Sequence, residues 1–64
     1  MNVKQNEKYF KYLFKLQASG RTNMFGAAEF LQREMKINKE LSIEILLYWM
    51  RNYSEVAKEL GVEV

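Results

Sequence analysis

An all-α fold, a compact three-helix bundle, is what these 64 residues predict, and three observations predict it. The chain has no proline and few glycines, so little interrupts a helix. Its apolar residues recur near every 3.6 positions, the helical period, and do not alternate as they would in strands. Hydrophobic content of 48% with nine aromatic residues supports a folded domain over a disordered tail.

The first helix is expected over residues 3–18. At 100° per residue Phe10, Leu13, Leu16 and Gln17 share one arc, with Tyr9 and Phe14 at its edges, while Lys4, Lys8, Lys11 and Lys15 share the opposite arc. Ser19-Gly20 ends it, because glycine takes the left-handed conformation of a C-cap at little cost. The second helix is expected over residues 24–36, capped by Thr22 or Asn23, with Met24, Ala28, Leu31 and Met35 as its apolar stripe. The pattern lapses around Lys36-Ile37-Asn38-Lys39. A third helix is expected over residues 42–60, with Leu46, Trp49, Met50, Tyr53, Ala57 and Leu60 in line and Gly61 stopping it.

Gly26 falls in the first turn of the expected second helix, away from its stripe. Glycine costs up to ~1 kcal/mol relative to alanine inside a helix. One explanation is a tight turn in from Arg21-Thr22-Asn23; the other is close approach of a partner to the backbone beside a helix N-terminus.

One domain spanning residues 1–64 is expected, of a size that buries only ~60% of the surface of its unfolded chain. Such a core supplies ~3–5 kcal/mol, and small domains add disulfides, metals or oligomerisation. With no Cys, His or Asp, the first two have almost nothing to work with, and neither a metal nor a cofactor is expected. Oligomerisation remains. The missing cysteines fit a cytoplasmic location. MNVKQNEKYFKYLF has no apolar signal-peptide region, and the strongest apolar run, Ile45 to Met50, falls far short of the ~20 residues of a membrane span.

The stretch Ser19-Gly20-Arg21-Thr22-Asn23-Met24-Phe25-Gly26-Ala27, followed by a Phe/Leu pair and by Ile45-Leu46-Leu47-Tyr48-Trp49-Met50, resembles short uncharacterised proteins encoded by bacteriophages. The resemblance covers about residues 9–53. It implies a viral origin, hence the host cytoplasm, and a helical fold; that family brings no established activity and no functional residues. Met24-Phe25-Gly26 reverses the order found in the Met-Gly-Phe loop of ubiquitin-associated domains, so ubiquitin binding is not expected.

Enzymatic activity is not expected. Glu29 and Arg33, and Glu44, Arg51, Glu55 and Lys58, occupy positions where a solvated helix face carries charge anyway, and small bundles seldom enclose a substrate pocket. Two binding functions remain. Residues 1–21 hold five basic residues against one acidic, a net +4, while the remainder nets −2. Lys4, Lys8, Lys11, Lys15 and Arg21 therefore form a candidate stripe for sequence-independent nucleic-acid binding. Lysine on an outer face is also an ordinary solubilising choice. A membrane-surface role for the first helix competes with the core for the same apolar arc. The function expected is instead protein–protein interaction, with a homodimer as one form of it. Gly26, Phe30, Leu47 and Tyr48 are the candidate contacts, the last three lying well away from the centres of their apolar stripes.

Overall fold

A computed structural model describes residues 1–20 and 26–63, and within them the protein is all-helical, with no strand. The expected Thr22 or Asn23 cap, Met24 and Arg21 lie outside the described residues. Among the described residues four helices form rather than three: α1 (Glu7–Ser19), α2 (Ala27–Met35), α3 (Lys39–Arg51) and α4 (Tyr53–Leu60). Both α2 and α4 pack against α1 and α3.

The first helix starts later than its apolar pattern suggests, because two asparagines hold the lead-in as turns. The Asn2 carbonyl accepts from the Asn6 side chain at 2.7 Å, and the Asn2 side chain accepts from the Gln5 amide at 2.9 Å. Such local side-chain bonds compete with helix geometry. At the other end Gly20 has φ 68° and donates its N–H to Gln17, the C-cap that glycine was expected to supply. Phe14, expected at the edge of the core arc, is buried, while Gln17, expected on that arc, is exposed. The added helix accounts for Phe14: its ring lies 5.3 Å from both Trp49 and Tyr53.

In α2 the buried pair is Ala27 and Leu31, with Ala28 and Met35 only half-buried. The core face is therefore turned relative to the expected stripe. Gly26 is the N-cap residue, not part of the first turn, and its φ of −85° is open to any residue. The C-cap is Lys36, in the left-handed conformation at φ 54°, donating its N–H to Gln32. Helix α3 then begins three residues earlier than expected, because Asn38 caps it: its side chain accepts from the Leu41 amide at 2.7 Å.

The expected third helix is broken at Asn52. A straight helix over residues 42–60 would be ~28 Å long at 1.5 Å per residue, whereas the chain with its break has principal extents of 25 × 25 × 17 Å. Asn52 sits at φ −121°, ψ 32°, outside helical geometry, and its side chain donates to the Tyr48 carbonyl at 3.1 Å. The backbone ladder still crosses the break through Asn52, which donates to Tyr48 and accepts from Val56, each at 2.9 Å. The chain changes direction there and keeps its apolar face inward.

The core draws Phe10 and Leu13 from α1, Leu31 from α2, Ile45 and Trp49 from α3 and Val56 from α4. Trp49 meets Phe14 edge-on and Tyr53 at 65°, so three aromatic rings join α1, α3 and α4. The Tyr53 hydroxyl donates to Gln17 at 2.6 Å, tying α4 to α1.

Candidate docking surface

Helix α3 carries more apolar side chains than one buried face can hold. Ser42, Ile45, Leu46 and Trp49 point into the core. Ile43, Leu47 and Met50, spaced i, i+4, i+7, form a second apolar strip about 100° around the helix. They are 38%, 44% and 42% exposed. Met50 was expected in the core stripe; it and Ile43 stand outside, because α2 covers only part of the wide apolar face of α3.

The strip forms one wall of a groove of about 570 Å³ between α2 and α3, with Ala28, Glu29 and Gln32 opposite. Lys39 lies at its edge, and Leu46 and Ser42 form part of the lining. Ser42 brings no open hydroxyl to it, since the residue is buried and its Oγ donates to the Lys39 carbonyl at 2.8 Å. Across the strip, Leu47 lines a second recess with Met1, Glu44 and Arg51. The large exposed apolar residues among the described residues, Met1, Ile43, Leu47 and Met50, thus gather on one side of the molecule. Scattered singly they would mean little; a contiguous patch on so small a chain is a feature of contact surfaces.

The four expected contacts separate. Leu47 is on the patch. Tyr48 is half-buried, with its ring 5.9 Å from that of Phe10. Phe30 is half-buried against the core, and Gly26 is half-buried at the start of α2. The sequence reading missed Ile43 and Met50 as surface residues. The signal lay in Ile43, Ile45, Leu46, Leu47 and Met50 together, which span too wide an arc for one core stripe.

The lysine stripe is present but not uniform. Lys4, Lys8, Lys11 and Lys15 are all exposed, with Lys4 in the turn ahead of α1 rather than on the helix. Lys11 pairs with Glu7 at 3.5 Å, and the Lys8 ammonium sits 5.2 Å from the Tyr9 ring centroid, within cation–π range. Lys4 and Lys15 make no ion pair among the described residues. Arg21 lies outside them.

Among the described residues no cluster of His, Cys, Asp or Glu is placed to hold a metal ion, and no helix is long and apolar enough to cross a membrane. Compared with protein-family models, curated proteins and solved structures, the chain matches none.

Proposed function

We propose that this chain is a small non-enzymatic protein-interaction module that docks its partner on the α3 face carrying Ile43, Leu47 and Met50. The observation that carries the reading is the gathering of exposed apolar side chains on that one face, beside a groove walled by α2. Burying such a patch releases roughly 25 cal/mol per Å² of apolar surface. The charged residues around it, exposed and solvated, serve as a polar rim. A phage origin and a place in the host cytoplasm belong to the same reading. The first is supported by the resemblance carried by residues 19–27 and 45–50, the second by that origin and by a chain free of cysteine.

The lysines of the N-terminal region support the alternative, sequence-independent binding to nucleic-acid phosphates. It takes second place because Glu7 and Tyr9 already engage two of the four on the described face.

Photo-crosslinking tests the docking face. A benzophenone side chain placed at position 47 is expected to give discrete protein adducts in cells producing the protein, and one placed at position 15 is not. Equal or absent adduct at the two positions would remove the reading.

A further inference from the structure

We infer that the occupant of this face is a second copy of the same chain, docked antiparallel through α3 about a two-fold axis beside Leu47. The inference rests on the docking reading above and adds a partner and a geometry to it.

The argument comes from the order of residues along α3. In an antiparallel pair related by a two-fold axis, residues that face each other across the interface have a common midpoint. Ile43 with Met50 has its midpoint within half a residue of position 47, Leu47 opposite itself has it at 47, and Glu44 with Arg51 again falls within half a residue. One axis therefore satisfies all three pairings. The lateral positions agree as well. At 100° per residue Ile43 and Met50 lie on one flank of Leu47, on the side of the α2 groove, and Glu44 and Arg51 lie on the other. A two-fold axis of this kind keeps each flank facing the same flank of the partner. Ile43 then meets the partner's Met50, and Glu44 meets the partner's Arg51, each twice by symmetry.

Charge favours this occupant over others. Glu44 and Arg51 are exposed, and neither makes an ion pair among the described residues. Glu40 lies seven residues before Leu47 on the same line of α3, and Glu29 is held by Arg33 at 3.2 Å, so with Lys39 the charges around the apolar patch come to three acids and three bases. A partner of one sign, such as an anionic polymer or a strongly basic segment, meets as much repulsion as attraction there. A copy of the same surface meets its own pattern in register.

The test is sedimentation equilibrium of the purified chain at micromolar to hundreds of micromolar, with circular dichroism confirming that each variant stays helical. The wild type is expected at dimer mass, and Leu47→Lys at monomer mass. Glu44→Arg alone and Arg51→Glu alone each put like charges together and are expected to weaken association at least ~10-fold. Mixing the two single variants is expected to recover a dimer, because each then supplies the charge that the other lacks. Dimerisation unaffected by the single swaps, or no recovery on mixing, would overturn the antiparallel geometry. A monomeric wild type throughout would overturn the second copy as occupant. If position 47 still crosslinks to a different protein in that case, the docking reading stands without it; if neither dimer nor adduct appears, both fail.

Discussion

Lys36 holds a conformation that its side chain disfavours. A residue other than glycine at φ 54° costs roughly 1–2 kcal/mol in the left-handed region, and the fold accepts this to turn α2 into the link before α3. Lys36→Gly is expected to stabilise the protein by ~0.5–1 kcal/mol, the relief being partly offset by the greater freedom of glycine in the unfolded chain. That corresponds to a rise of ~3–6 °C in Tm for a domain of this size, measured by thermal melting; an unchanged or lower Tm would show that the lysine stem contributes packing that outweighs its strain. Residues whose type fixes their role were legible in the amino-acid sequence alone. Gly20 and Gly61 end helices with φ of 68° and 71° where the chain predicts stops. Lys36 gave no such signal, because nothing in its chemistry favours the conformation that it takes. Trp49 is a further feature hidden from sequence: its indole Nε1 is buried without a hydrogen-bond partner among the described residues, while its ring packs against Phe14 and Tyr53.

The division between α3 and α4 escaped the sequence reading for a definite reason. The apolar positions on either side of Asn52 continue one helical period, so periodicity alone joins them. One other signal was available, an asparagine with a side chain able to compete for a backbone carbonyl. The break lets α4 lie across α1, where Tyr53 is the outer tie. Tyr53→Phe keeps the ring against Phe14 and Trp49 but removes the hydroxyl that donates to Gln17. It is expected to cost ~0.5–1 kcal/mol and to speed hydrogen exchange at the α4 amides while leaving mid-α3 amides such as Leu46 unchanged. Equal acceleration in both helices would mean that α3 and α4 open as one unit. The docking strip has the same kind of history. Leu47 stood out by its angular position alone, whereas Ile43 and Met50 count as surface only because α2 leaves the flank of α3 uncovered.

Taken as a body, the chain is about as compact as a typical domain of its length. Its radius of gyration is 10.6 Å, against the ~10.7 Å that the usual scaling gives for 64 residues. Compactness does not by itself make a stable domain at this size, and the fold leaves an apolar strip outside its core. If two copies share that strip, folding is linked to association and stability depends on concentration. The Tm is then expected to rise by ~5 °C for each tenfold increase in protein concentration, and the rise is expected to vanish in Leu47→Lys. A Tm independent of concentration in the wild type would mean that the single chain is stable without help. The all-helical architecture was legible because composition and period agreed throughout the chain. The arrangement of faces was not, since which arc of α3 stays bare depends on how far α2 reaches around it.

The short links between helices also set a clock. The three residues Lys36 to Asn38 join α2 to α3, and Asn52 alone joins α3 to α4, so much of the packing forms between neighbours in sequence, and helical chains of that kind fold in ~microseconds to milliseconds. Encounter with a second copy is far slower: at micromolar concentration and ordinary association rates it takes ~0.1–10 s. Each newly folded chain therefore spends most of its early life with the α3 strip uncovered, an interval in which any competing protein with a suitable apolar helix has the first opportunity to occupy it.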